Sequence, residues 1–287
     1  MDTSFEQRLA ERSDALSEKL RRAGEYVARH PVNTATRSLR VVAQDSGLAP
    51  ATFSRMARAL DYASFEELRE VMRRKINNRV NSFATRAQRM QEISASGEVT
   101  FFEAHIAACQ SNLQSLAHEI DQALLERTVA RLHTCRSVLL MGALGSTGVV
   151  EYLAYMASFA CSKWSIAGRM GSSFASGLTG LAEEDAVIIV TKPPFSTRVI
   201  RAAEQAHAQG AFIVVITDTH ACPALRHASA GFVVPTESPH FYSSYVATMV
   251  LVETMVGMLV NRAGPEARAR IAQIEESNRR LQEVWDG

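Results

Sequence analysis

Lys192 is the residue whose position most invites chemistry. It directly follows the apolar run AVIIVT (186–191) and is one of four lysines among 31 basic residues. A cation at the carboxyl end of a strand suits an anionic metabolite, and the plain alternative is a charge at a loop rim. Hydroxyls accompany it. Thr191 precedes it, Ser196 and Thr197 open the next helical segment, and Ser243 and Ser244 open another after PHFY. A second run, SVLLMG (137–142), leads into GALGST, where Ser146 and Thr147 start a helix whose N–H groups attract anions. Either hydroxyl could instead serve as an ordinary N-cap. Isomerisation of a sugar phosphate needs a placed base, usually Glu or His, and 191–197 holds neither. His240 reads as an incidental loop histidine and Glu253 as a structural carboxylate. Cys109, Cys135, Cys161 and Cys222 show no metal-ligand spacing. We therefore expect anion binding, with no catalytic residue, metal or cofactor.

A different chemistry lies in LRVVAQDSGLAPATFSRMARAL (39–60). It reads as two short helices joined at Gly47, which takes a left-handed turn without a Cβ penalty. Ala43 is small where the helices cross, and Leu48, Phe53 and Met56 are spaced to fill the angle between them. Thr52, Ser54, Arg55 and Arg58 are then expected to point outward. This is the pattern of a helix-turn-helix whose second helix enters the major groove of double-stranded DNA. Arg37 and Arg40 fit phosphate contacts there, or ordinary surface.

The elements that must hold these residues differ along the chain. Residues 5–29 read as one or two amphipathic helices ended by His30-Pro31. Residues 64–92 read as helix, with Ser64 and Glu67 as a capping box. ISASGEVT (93–100) reads as a linker, and helices are expected over 101–117 and 119–133. Short Val/Ile-rich runs then alternate with helix-length segments at 137–142, 164–168, 186–191, 212–217 and 231–235. This predicts a doubly wound α/β domain around a five-stranded parallel sheet. VATMVLVETMVGMLV (246–260), interrupted by Glu253, reads as a buried helix rather than a membrane span. A last helix is expected over 265–285.

Composition agrees. A 47% hydrophobic chain of 287 residues suggests about two domains. The net charge of +1 conceals an asymmetry, because residues 1–90 carry a net +6 and the remainder a net −5. A basic amino-terminal module fits a nucleic-acid partner. The cysteines read as reduced thiols of a cytosolic protein. MDTSFEQRLAER lacks the apolar stretch of a secretory signal, so a cytoplasmic chain without a membrane partner is expected.

In order along the chain, EYVARHP (25–31), residues 38–69, LLMGALGSTGVVEYLAYM (139–156), residues 185–228 and SPHFYSSYVATMVLVE (238–253) resemble the RpiR family of bacterial transcriptional regulators. The resemblance implies an all-α helix-turn-helix domain at 1–92, a linker and connecting helix at 93–118, and a sugar isomerase (SIS) domain at 119–287 that binds an effector. It places the family's ligand-contacting serine at Ser146 and the closure of the pocket at Ser243 and Ser244. It further implies a DNA operator, a small anionic effector (sugar phosphate, sugar acid or related catabolite) and a homodimer or homotetramer. The runner-up is an aldose–ketose phosphate isomerase with an accessory helical domain. Two departures stand out. Ala49 occupies the cap usually held by Ser. TKPPFST (191–197) replaces the family's usual Ser-x-Ser-Gly-x-Thr loop, which points toward a carboxylate or compact sugar derivative.

Overall fold

Each Val/Ile run becomes a strand. The strands β1 (Val138–Gly142), β2 (Trp164–Ile166), β3 (Ala186–Val190), β4 (Phe212–Thr217) and β5 (Ala230–Val233) form one parallel sheet in the order β2-β1-β3-β4-β5. Register runs directly across the centre, with Leu140 opposite Ile188 and Ile188 opposite Val214. The central β3 is buried throughout, as a strand covered on both faces must be. The computed structural model describes residues 5–12, 15–80, 83–96, 99–169 and 172–285.

The chain divides into two units, 1–118 with 237–244, and 119–236 with 245–287. The second holds the sheet. Its helices are α9 (Gln122–Thr134), α10 (Thr147–Ala160), α11 (Phe174–Leu178), α12 (Thr197–Ala208), α13 (Val246–Ala263) and α14 (Pro265–Arg280). Leu139, Met141, Val187, Ile189, Ile213 and Val215 pack against Leu178 of α11 and Val199, Ala202, Ala203 and Ala206 of α12. Alternate strand residues point to the opposite face, and α10 crosses β1 and β2. Among the described residues, α13 alone is long and apolar enough to cross a membrane by length and composition. It packs on α9, α10 and α14, burying Leu251, Val252, Met255 and Leu259. The last helix ends at Arg280, short of the expected 285.

The helical unit contains α1 (Phe5–Arg12), α2 (Glu18–Arg29), α3 (Pro31–Thr36), α4 (Leu39–Ser46), α5 (Pro50–Ala59), α6 (Phe65–Val80), α7 (Phe83–Ser96) and α8 (Phe101–Glu119, grouped with this unit through His118). The short α3 was not expected; Pro31 occupies its first turn, where a missing N–H costs nothing. The helix expected over 64–92 appears as α6 and α7, and 81–82 between them lie outside the described residues. The Glu67 amide donates to Ser64 Oγ at 3.1 Å, while the Glu67 carboxylate accepts from the Ala63 amide. The expected linker begins inside α7, and its residues 97–98 lie outside the described residues.

At the amino edge of the sheet, Asp185 clamps the starts of β1 and β3. Its buried carboxylate accepts from Arg136 Nε at 3.0 Å, Ser137 Oγ at 2.7 Å and the Ala182 amide at 3.0 Å. The Arg136 guanidinium, helped by those hydrogen bonds, holds the carboxyl at about 2 against an ordinary 3.8. A carboxyl depressed on folding stabilises above its unfolded value and loses that stabilisation as pH falls toward 2. Asp185→Asn is therefore expected to cost about 2 kcal/mol at pH 7, a figure held down by the exposed Arg136 side of the pair. Urea unfolding of both proteins checks this: their difference should shrink between pH 4 and pH 2, and a constant difference contradicts it.

Candidate functional site

The carboxyl edge of the sheet gathers polar groups that an apolar core would normally exclude. After β1 the chain turns outward to β2, and β3 then starts on the other side of β1. In doubly wound sheets such a reversal, here at the carboxyl ends of β1 and β3, is where ligands bind. Ser146 follows β1 and Lys192 follows β3. Ser146 lies at the end of a 3-10 turn, Leu144–Ser146, and Gly142 is required beneath it, since a Cβ there would meet the Ser146 carbonyl at 2.8 Å. Ser146 makes no side-chain cap to α10. Its hydroxyl instead shares a 3.0 Å hydrogen bond with the Tyr245 hydroxyl.

Tyr245 also receives Lys192, whose Nζ lies 3.7 Å from the ring centroid. Lys192 is 6% exposed. Burial pulls its ammonium down from 10.5 to about 7, against the opposing pull of Asp218, which favours the charged form. Asp218 directly follows β4, is 4% exposed, and accepts from Thr236 Oγ1 at 3.2 Å. Thr191, Thr217 and Thr219 are buried at the same strand ends. Lysine, carboxylate, phenol and hydroxyls in one enclosed place can hold a small anion and move a proton.

The other expected effector residues fall differently. Ser196 occupies the N-cap position of α12, but its hydroxyl makes no cap; its carbonyl accepts from the Val199 and Ile200 amides. Thr147 and Thr197 are the first residues of α10 and α12, half-buried and exposed respectively. Ser243 and Ser244 do not begin the long helix as expected. The helix starts at Val246 with Tyr245 as its N-cap residue, and both serines group with the helical unit. There Ser244 Oγ lies 4.0 Å from Cys109 Sγ of α8. His240 Nδ1 accepts from the Tyr242 amide, an internal loop role. Glu253 is exposed and accepts from the Tyr152 hydroxyl at 3.0 Å. Asp218 and Tyr245 were missed: Asp218 stood at a strand end, as Lys192 did, whereas nothing local marks Tyr245.

The second candidate is the α4–α5 hairpin. Ser38 caps α4 by accepting from the Val41 amide, and Gly47 ends it at φ 68°, where Leu48 N–H returns to the Ala43 carbonyl. Phe53 and Met56 are fully buried, Leu48 packs against the same core, and Phe53 meets Tyr26 and Phe65 edge-on at 6.1 and 5.8 Å. Ala49 gives α5 no side-chain cap, and Pro50 supplies its first turn. Arg40, Arg55 and Arg58 are exposed and Ser54 is half-buried. Thr52 corrects the expectation. It is 8% exposed and faces the core, because it precedes Met56 by one helical turn and shares its face. Arg37 is exposed but ion-paired with Asp45 at 3.0 Å.

Residues 131–258 match the SIS domain family model. No curated protein matches the sequence. Among solved structures, the NanR protein of Vibrio vulnificus, complexed with ManNAc-6P, is 19% identical with a TM-score of 0.57, over 97% of this chain and 99% of that one. The sugar isomerase domain of an RpiR transcription factor from Sphaerobacter thermophilus is 19% identical with a TM-score of 0.56, over 60% of this chain and 96% of that domain. Likeness at this identity is likeness of fold, and it fixes the architecture as a helical amino-terminal region followed by an SIS-like α/β domain with a five-stranded parallel sheet.

Proposed function

We propose that the chain is a cytoplasmic, DNA-binding transcriptional regulator whose SIS domain senses a small anionic metabolite. The observation that carries this reading is a helical hairpin with exposed Arg40, Arg55 and Arg58, joined in one chain to a buried lysine at the carboxyl edge of the sheet. In this reading residues 1–92 bind the operator, 93–118 connect, and 119–287 hold the effector. Arg55 and Arg58 contact bases or phosphates, Ser54 and Arg40 contact the backbone, and Arg37 joins them if it leaves Asp45. Ser146, Thr191 and Lys192 form the anion site, with Ser196, Thr147 and Thr197 contributing at its margins, whereas Ser243 and Ser244 belong to the helical unit. The buried polar cluster supports a carboxylate or phosphate as the effector's charged group. The likeness to the NanR protein complexed with ManNAc-6P supports a sugar-derived effector.

Two measurements test the proposal together. Genomic fragments selected by the protein should share one motif, and one compound from a panel of sugar phosphates and sugar acids should shift both its thermal midpoint and that motif's affinity. At 100 times the dissociation constant the ligand should stabilise the native state by about 2.7 kcal/mol. Steady conversion of an aldose phosphate to a ketose phosphate, without selected DNA, would replace this reading with the isomerase.

A single helix-turn-helix covers little DNA, and paired copies match half-sites about 34–36 Å apart. Light scattering at micromolar concentration is therefore expected to give a dimer or larger assembly. A stable monomer would contradict this.

A further inference from the structure

We infer that the outer face of α8 is a self-recognition surface: two copies of the chain lay their α8 helices antiparallel, Ile106 of one against Leu113 of the other. This rests on the paired copies proposed above and names the surface that joins them. The helix is 19 residues long, about 28 Å at 1.5 Å per residue. Its inner face is committed. Asn112, Ser115 and Leu116 are buried, and the Asn112 side chain donates to the Glu237 carbonyl at 2.8 Å while accepting from the Glu237 amide at 3.0 Å. The outer face is unusually apolar. Phe102 is 72% exposed, Ile106 41% and Leu113 36%, and Gln110 and Ala117 are exposed in line with them. At 3.6 residues per turn these five positions share a stripe about 80° wide. Single exposed apolar side chains are ordinary, but large ones aligned on one helix mark an interaction surface.

The spacing of the stripe says what covers it. Positions 102, 106, 110, 113 and 117 are arranged about a midpoint between 109 and 110. Turned end for end, the stripe maps onto itself. Phe102 falls opposite Ala117, Ile106 opposite Leu113, and Gln110 beside the Gln110 of the other copy. A two-fold interface demands this self-complementarity. The arrangement sets the bulkiest side chain against the smallest, and the two Gln110 amides can bond each other across the axis. A parallel pair would instead press Phe102 on Phe102 and bring like ends of the helix dipoles together. Charge does not oppose the antiparallel pair. The stripe itself holds none, and Glu103 on its rim turns its carboxylate back to the Thr100 hydroxyl at 2.7 Å and amide at 3.1 Å. The occupant is therefore a second copy, because an unrelated partner has no reason to match the stripe's own reversal.

Two single variants and their mixture test this in the full chain. Ile106→Glu and Leu113→Lys alter exposed positions, so each should keep the wild-type circular dichroism and thermal midpoint. In sedimentation equilibrium each alone should dissociate at least about tenfold more readily than wild type, because every pair then buries two unmatched charges. Mixed in equal amounts they should pair again. The new carboxylate of one chain then faces the new ammonium of the other, and Leu113 of the first meets Ile106 of the second. Folded, dissociated variants that fail to pair on mixing would overturn the antiparallel register. Wild-type assembly in both single variants would overturn the α8 surface and leave paired copies standing through another face. A wild-type chain that stays monomeric at every concentration would overturn the paired-copy reading itself, and this surface with it. Gln110→Cys gives a check that introduces no charge. Beside the axis, it should be joined chain to chain by a short bismaleimide faster than wild type is through its native cysteines, and equal rates would remove α8 from the interface.

Discussion

Replacing Arg55 and Arg58 together by alanine is expected to remove sequence-selective DNA binding while leaving the fold untouched. Both side chains are exposed on α5, whose opposite face carries the buried Phe53 and Met56. Their loss should change stability by no more than about 0.5 kcal/mol. If Arg55 reads a base edge, Arg55→Ala alone should cost roughly 1–3 kcal/mol on the operator and relax preference at one position. A residue that only meets phosphate would weaken all sequences alike and flatten the salt dependence by about one charge. Fluorescence anisotropy on operator and scrambled duplexes at several salt concentrations separates these outcomes. Wild-type affinity in the double variant would remove α5 from the interface.

Binding of a carboxylate without a carbonyl group should weaken as pH rises above 7. Free Lys192 loses its proton near 7, and an anion at its side restores the ordinary preference for the charged form. Binding therefore takes up a proton between the free and bound values. Affinity should fall by up to about tenfold per pH unit from 7 to 9 and level off below 7. Asp218, which favours charge, and the Tyr245 ring are among the groups that face this ammonium. Glycolate keeps its own charge over that range, so its isothermal titration in buffers of different ionisation enthalpy reads the uptake directly. Lys192→Gln should flatten the profile and lower affinity at pH 7, with ligand-free DNA binding nearly intact. A pH-independent affinity in the wild type would exclude Lys192 as the anion's partner. The same depressed amine also affects folding. The unfolded chain binds the extra proton between 7 and 10.5, so this group's contribution to stability rises with pH across that window.

What the sequence made legible is what periodicity and backbone chemistry encode. The inner strands could be read because a run such as AVIIV has no polar face and must be covered twice. Gly47 could be read, because the sharp turn needs the left-handed conformation it adopts. Thr52 faces the core and not solvent, and its spacing from Met56 already fixes that side of α5. Ser243 and Ser244 were assigned to a helix that starts only at Val246, since an apolar run says little about its first turn. Tyr245 was invisible. It reaches Ser146 across 99 positions, and only the tertiary fold sets that distance. The lowered proton affinity of Lys192 follows likewise from burial rather than from neighbours in sequence.

Tyr245 already occupies the proposed anion site. Its hydroxyl holds Ser146 and its ring covers the Lys192 ammonium, so a ligand claiming both groups must first evict it. The tyrosine is thus a tethered rival, present at a fixed effective concentration set by the backbone and not by solution. A ligand's measured affinity is its intrinsic affinity discounted by that competition. The free energy that evicts the tyrosine can be no larger than the ligand's preference for the evicted state over the occupied one.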